Sequence, residues 1–174
     1  ILSVVFWKFL LLTKINTYYI SINTNLVKFF FFLLFLQLII GAFVSGMDAG
    51  KVYNTWPLMG SSFFPNDSSP NELINITFFE NPSIVQFLHR LLAYLILIVY
   101  IYLLITFFNS KNDALYIPIF IIGIALLIQI GLGILTLLSG VKILYASLHQ
   151  INSIFIILST IYLLYISKYK EIIN

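Results

Sequence analysis

The chain has 174 residues, of which 61% are hydrophobic and 9% charged, and its mean hydropathy is +1.04. This composition excludes an ordinary soluble domain and indicates an all-α polytopic protein whose main surroundings are the lipid bilayer. The net charge of +3 comes from scattered basic residues, which indicates topogenic signals rather than nucleic-acid binding.

The first predicted element is a short apolar stretch, residues 1–12, which contains Lys8. Because the sequence opens without methionine and already in apolar residues, we expect residues 1–25 to be the end of a preceding transmembrane helix and its connecting loop, in a longer protein. Residues 26–174 are predicted to form one four-helix transmembrane domain. Its spans, each about 20 residues long, are 26–44, 84–108, 115–138 and 146–166.

Basic residues predict the orientation of these spans. Positive charge collects on the inner side of a membrane, so the segment 45–83, which has few basic residues, is an outer loop. The second and fourth spans then enter the membrane from the outer face. The predicted inner side carries Lys14, Lys28, Lys111, Lys168 and Lys170, and the outer side carries Lys51 and Lys142.

The second and fourth spans are copies of one pattern. Each has a Leu-His pair near its start, ending in His89 and His149, and each continues without a gap to the same Ile-Tyr-Leu-Leu sequence. The spans before them also correspond, because each contains a glutamine followed four residues later by glycine. The repeated unit is therefore a helical hairpin. Two such hairpins in the same orientation are related by an axis along the membrane normal.

His89 and His149 are the chain's only histidines and are predicted to lie at the same depth, on either side of this axis. Either one alone is compatible with a structural role, but a symmetric pair inside hydrocarbon indicates ligation of a haem iron at both axial positions. A zinc site is disfavoured because the sequence supplies no third ligand nearby. Arg90 and Gln150, which follow the two histidines, are further candidate cofactor-binding residues, Arg90 for a propionate or, alternatively, a lipid phosphate.

Several motifs resemble those of one enzyme family. They are the outer-loop string 46–59 (GMDAGKVYNTWPLM), the helix entry 79–82 (FENP), and the histidine strings 85–90 (VQFLHR) and 148–150 (LHQ), together with 129–133 (QIGLG). These residues resemble the carboxy-terminal half of haem A synthase, a cytochrome c oxidase assembly enzyme, in its mitochondrial and alphaproteobacterial type.

The resemblance implies an eight-helix oxidoreductase that oxidises the C8 methyl group of haem O to the formyl group of haem A. It implies haem b as the cofactor, with His89 and His149 as axial ligands of its iron. The family's substrate haem and catalytic acid belong to the amino-terminal half, so we expect no catalytic residue here and no activity without that half. It further implies cytochrome oxidase assembly factors as partners, and a mitochondrial inner membrane or a bacterial plasma membrane as location.

Two other functions stay open at this point. One is a stand-alone cytochrome b that takes electrons from a quinol, and the other is a cofactor-free assembly or scaffold subunit with structural histidines. The sequence identifies no electron donor or acceptor, and it is compatible with a homo-oligomer.

Overall fold

The computed structural model describes residues 1–13, 24–110 and 115–168, and within them it contains helices and no strand. Four helices are long and apolar enough to cross a membrane, so the prediction of an all-α, four-helix transmembrane bundle is confirmed. The helices are α1 (Leu2–Thr13), α2 (Thr24–Gly46), α3 (Pro82–Asn109), α4 (Tyr116–Leu138) and α5 (Ile143–Lys168).

The predicted spans match α2 to α5 closely, and the largest difference is that α5 begins at Ile143 rather than at residue 146. The division into a segment 1–25 and a domain 26–174 stays a prediction. Most of the predicted connecting loop lies outside the described residues, as do Lys14, Lys111 and Lys170 of the charge count.

Local sequence fixes the start of α3, the helix that carries His89. Asn81 is its N-cap, and its side-chain oxygen accepts hydrogen bonds from the backbone N–H groups of Ser83 at 2.9 Å and Ile84 at 3.4 Å. Pro82 occupies the first helical position, where its missing N–H costs nothing. The Asn-Pro pair thus sets the register in which His89 enters the bundle.

The bundle consists of two helical hairpins, α2 with α3 and α4 with α5, which also pack on each other through α2 and α5 and through α3 and α4. At the α3–α4 contact, the Tyr100 hydroxyl donates to the carbonyl of Ile119 at 3.0 Å and lies against Gly123. Helix α1 packs on α5, where Trp7 and Tyr165 meet edge to face at 5.7 Å. Most large apolar side chains on the outer faces of the helices are exposed, as expected of surfaces in contact with lipid.

The loop between α2 and α3, which the charge distribution predicts to be the outer loop, is folded against the helix ends. It contains 3-10 helices at Ala49–Lys51, Pro70–Ile74 and Ile76–Glu80. The side chain of Asn54 donates to the carbonyls of Gly50 and Leu137, both at 2.9 Å. Since Leu137 is in the last turn of α4, this side chain ties the loop of the first hairpin to the second hairpin.

Candidate functional site

His89 lies on α3 against α2 and forms, with Gln37 and Gly41, what we call the first histidine site. The side-chain amide nitrogen of Gln37 donates to the backbone carbonyl of His89 at 3.1 Å and lies 3.3 Å from His89 Nε2. Gln37 and Gly41 are four residues apart and therefore share one face of α2. A Cβ atom at Gly41 would be only 3.2 Å from His89 Cε1, so this glycine lets the imidazole approach the α2 backbone.

The second histidine site repeats this arrangement with His149, Gln129 and Gly133. The side-chain nitrogen of Gln129 lies 3.2 Å from His149 Nε2, and a Cβ atom at Gly133 would be 3.1 Å from His149 Cε1. His149 Nδ1 lies 3.1 Å from the backbone carbonyl of Gln129. Because a carbonyl only accepts, Nδ1 carries the proton and Nε2 presents its lone pair.

Both histidines lie within the first two turns of their helices, since α3 begins at Pro82 and α5 at Ile143. Helices α3 and α5 correspond residue by residue at a sequence offset of 60, from His89 to His149, and α2 and α4 at an offset of 92, from Gln37 to Gln129. The structure therefore builds the same three-residue contact twice, at nearly the same distance from the starts of α3 and α5.

The glutamines of the two sites, Gln37 and Gln129, line a common cleft between α2, α3, α4 and α5, whereas neither histidine is part of its lining. Its cavity volume is about 70 Å³, whereas pockets that enclose a drug-sized ligand measure about 300–1,000 Å³. A macrocycle thus needs side chains of the lining to move aside. The lining includes both glutamines and is otherwise mainly apolar: Leu34, Gln37, Leu38, Ala93, Ile96, Leu97, Leu126, Gln129, Ile130, Ser153, Ile156 and Ile157.

The donor set at this cleft fits a bis-imidazole haem better than a metal held by protein ligands alone. Across residues 1–13, 24–110 and 115–168, no group of three or more His, Cys, Asp or Glu side chains is placed to hold a metal ion. A haem iron needs only two axial ligands from the protein, because the porphyrin supplies the other four. Two imidazoles whose Nε2 atoms accept hydrogen bonds from the cleft-lining glutamines meet that requirement.

Arg90 contacts the outer loop, which the sequence did not predict. Its guanidinium donates to the backbone carbonyls of Leu58 at 3.3 Å and Tyr53 at 3.2 Å. The side chain of Gln86, one turn earlier on α3, also donates to the Tyr53 carbonyl, at 3.0 Å. The loop is thus fixed to the helix that carries His89, near the end of α3 at which that histidine lies.

The second hairpin has a shorter connection and a different polar residue after its histidine. Gln150 is exposed, and its backbone carbonyl accepts a hydrogen bond from the Ser153 hydroxyl at 2.6 Å. The structure therefore does not bring Gln150 and Arg90 into equivalent roles. The cofactor-binding roles of His89, His149, Arg90 and Gln150 stay predictions.

Asn152 is a site residue that the sequence analysis missed. Its side-chain nitrogen donates to Gln129 Oε1 at 2.7 Å and to the carbonyl of Ala125 at 2.9 Å. An asparagine inside an apolar span, three residues after the histidine, was the available signal. Gln37 and Gln129 were noted only as markers of the repeat, and the structure shows that both contact the histidines.

Outside the membrane, Asp67 connects the loop to the start of α3. Burial opposes its ionisation, but hydrogen bonds from the hydroxyls of Ser83, Tyr53 and Ser68 outweigh that effect and lower the pKa of the Asp67 carboxyl. Desolvation and the hydrogen bond to Asp67 raise the pKa of the Tyr53 phenol. The Ser83 hydroxyl, in the first turn of α3, donates to Asp67 at 2.7 Å.

Comparison with known proteins gives one consistent result. Residues 1–161 match the COX15-CtaA family, described as cytochrome oxidase assembly protein. The haem A synthase of Pelagibacter ubique (strain HTCC1062) is 47% identical over 165 residues, which are 95% of this chain and 48% of that protein. Those of Rickettsia bellii (strain OSU 85-389) and Wolbachia pipientis wMel are 43% identical over 122 residues and 39% over 146, covering 70% and 83% of this chain.

The chain spans about half the length of the first of these relatives, and it covers 36% and 40% of the other two. No solved structure matches the chain.

Proposed function

Because the chain belongs to the COX15-CtaA family of cytochrome oxidase assembly proteins, we propose that it is the carboxy-terminal, haem b-binding half of a haem A synthase. The observation that carries this proposal is the pair of matching histidine sites, His89 with Gln37 and His149 with Gln129, whose two glutamines line one cleft. The whole enzyme is proposed to oxidise the C8 methyl group of haem O to a formyl group, giving haem A for cytochrome c oxidase.

His89 and His149 are the proposed axial ligands. The Nδ1–H of His149 donates to the Gln129 carbonyl. This contact selects the tautomer with the lone pair on Nε2 and makes that nitrogen a stronger electron-pair donor to a metal. Gly41 and Gly133 place the two rings close to α2 and α4. A haem b held by these two histidines would supply electron transfer.

Arg90 is proposed to bind a haem propionate as well as the loop. A guanidinium has five N–H donors, and those toward Tyr53 and Leu58 leave others available. Its place next to His89, near the outer end of α3, is where a carboxylate at the edge of the macrocycle would be neutralised. Gln150 is the corresponding candidate in the second hairpin.

The oxidation itself is assigned to an amino-terminal half, on the same or another chain. We therefore expect no haem A formation by these 174 residues alone, and partners that include that half, its haem O substrate and oxidase assembly factors. The chain is an integral membrane protein, and the bacterial sources of its relatives favour a bacterial plasma membrane over the mitochondrial inner membrane.

Reduced-minus-oxidised spectra and pyridine haemochrome analysis of membranes that contain the chain test this proposal. We expect a low-spin b-type spectrum that is lost in both His89→Ala and His149→Ala. Thr160→Val is a matched control, because the Thr160 hydroxyl is buried on α5 and donates within that helix, to the Ile156 carbonyl at 2.8 Å. A spectrum unchanged in either histidine variant would contradict bis-histidine ligation, and the lack of any haem in the wild type would favour the scaffold function.

A second measurement concerns the reaction. In cells that make haem O, the chain alone should give no haem A, and co-expression with the amino-terminal half of the Pelagibacter relative should restore it. Haem A made by the chain alone would contradict the division of labour between the halves. Reduction of the bound haem by a quinol, without any partner, would instead support a stand-alone cytochrome b.

A further inference from the structure

The two histidine sites differ in how firmly their glutamines are held. Each imidazole Nε2 has one lone pair, and in both sites a glutamine amide donates to it. Coordination of iron at Nε2 must therefore replace this hydrogen bond. How easily each histidine becomes a ligand depends on how firmly its glutamine is fixed.

Gln129 is fixed at both ends of its amide. Its nitrogen faces His149 Nε2 at 3.2 Å, and its oxygen accepts from Asn152 at 2.7 Å. Asn152 is itself held by the carbonyl of Ala125 on α4, at 2.9 Å. The resulting hydrogen-bond network links the α4 backbone through Asn152 and Gln129 to His149. Both side-chain N–H groups of Asn152 have an acceptor in it.

Gln37 lacks this support. Its nitrogen donates to the carbonyl of His89 and faces His89 Nε2, but its oxygen is buried without a hydrogen-bond partner among the described residues. His89 Nδ1 is likewise buried without a hydrogen-bond partner among the described residues. The sequence explains the difference, because the offset of 60 that relates the two histidines places Leu92 where the second hairpin has Asn152.

We propose that Asn152 is a positioning residue that holds the Gln129 amide on His149, so that His149 exchanges its hydrogen bond for iron less readily than His89 does. This inference rests on the proposed haem b site. Removing Asn152 should release Gln129 and make Nε2 of His149 more available. Hydrogen bonds between membrane helices contribute about 0.6–1.7 kcal/mol, which corresponds to a gain in haem affinity of about threefold to seventeenfold.

Equilibrium titration of the purified chain with haem b measures this effect. Asn152→Leu introduces the residue of the first hairpin, and Asn152→Ala removes the same hydrogen bonds without adding bulk, so the pair separates loss of the contact from altered packing. Both should bind haem b more tightly than the wild type by about threefold to seventeenfold. Thr160→Val, which removes a polar group from α5 without touching Gln129, should leave the affinity unchanged.

Single-histidine backgrounds, in which the low-spin spectrum is lost but one imidazole still binds haem b, assign the effect to His149. The gain should persist in His89→Ala, where His149 is the remaining ligand, and vanish in His149→Ala. An unchanged or weaker affinity in both Asn152 variants would overturn the inference and leave the proposed haem site intact. A wild-type chain that binds no haem b would overturn the proposed function and the inference together.

A readout without haem gives a second, independent test. The chain has two histidines, so selective ¹⁵N-histidine labelling gives two assignable rings by NMR. Asn152→Leu should shift the Nε2 resonance of His149 toward that of a weaker hydrogen-bond acceptor and leave the His89 signals in place. Unshifted His149 signals would contradict a role of Asn152 that acts through Gln129.

Discussion

The two hairpins of this bundle have the same framework but different polar surroundings. In both, glutamine and glycine on one helix contact a histidine on the next. In the first hairpin the polar contacts are made to the outer loop, through Arg90 and Gln86. In the second they stay within the membrane, through Asn152. Duplication thus preserved the contact that presents each imidazole, whereas the residues around it diverged.

The contact between the hairpins is asymmetric as well, and breaking it should have the largest effect on stability. Tyr100 of α3 packs directly on Gly123 of α4, whereas the corresponding positions on α5 and α2 are Thr160 and Phe31. A methyl group in Gly123→Ala would collide with the buried Tyr100 ring, whose hydroxyl is fixed by Ile119.

We expect Gly123→Ala to lower the free energy of unfolding by about 1–3 kcal/mol, because overpacking forces helices apart. Thermal unfolding in detergent, followed by circular dichroism, measures it. Gly131→Ala on the same helix is the matched control, since no atom lies within 4 Å of a Cβ there and alanine is the better helix former. Equal stabilities of the two variants would show that Tyr100 can move away freely.

The second prediction tests whether the preserved contact is equivalent in both hairpins. In Gly41→Ala and Gly133→Ala, the new methyl group would lie 3.2 and 3.1 Å from the imidazole Cε1. Each ring is also held at the neighbouring Nε2 atom by the glutamine of the same helix face, so turning away from the methyl group would break that hydrogen bond. Both variants should therefore weaken haem b binding by up to about tenfold, at the low end of the range for residues that orient a metal ligand. Weaker haem b binding in only one of the two variants would show that the two histidine sites do not contribute equally to haem binding.

Much of this arrangement could be predicted from the sequence. Apolar length gave the four spans, and the repeat of Gln, Gly and His at fixed offsets gave the pairing of helices and the common depth of the histidines. The Asn152 to Gln129 contact could not be predicted, because helices that are apolar on all sides do not reveal which faces meet. Likewise, the contacts of Arg90 depend on the path of a long loop, and its sequence shows turns but no destination.

The third prediction exchanges the residues that follow the histidines. Arg90→Gln gives the first hairpin the residue found at position 150, and it removes a charged donor from the carbonyls of Tyr53 and Leu58. We expect the loop to lose about 1 kcal/mol of local stability, because glutamine replaces the hydrogen bonds only in part.

Trp56 lies in this loop and the only other tryptophan is Trp7, so Trp56 fluorescence in a Trp7→Phe background reports loop unfolding in urea. Gln150→Ala, at the exposed matching position, should leave that transition unchanged. A transition unaffected by Arg90→Gln would mean that Gln86 and Asn54 suffice to hold the loop.

The smallest expected effect concerns the carboxylate of Asp67 in the long loop, because the short α4–α5 connection has no corresponding acidic residue. Hydrogen bonds from Ser83, Tyr53 and Ser68 lower the pKa of Asp67 against the opposing effect of burial. A lowered pKa in the folded state adds stability above the unfolded-state value near 4, and this stability is lost as the pH falls through the folded-state pKa. Because Asp67 is exposed, the gain should be below about 1 kcal/mol.

Asp67→Asn should therefore shift the Trp56 transition to lower urea at pH 6–7, by an amount below about 1 kcal/mol that is lost as the pH falls through the lowered folded-state pKa of Asp67. Ser83→Ala, which removes the donor at 2.7 Å and keeps the carboxylate, should reproduce part of the shift. The raised pKa of Tyr53 has the opposite sign, since its contribution is present at neutral pH and is lost only as the pH rises through the folded-state value. A deficit in Asp67→Asn that does not shrink as the pH is lowered below the unfolded-state value near 4 would show that its origin is packing rather than ionisation, and that the first hairpin holds its loop without this charge.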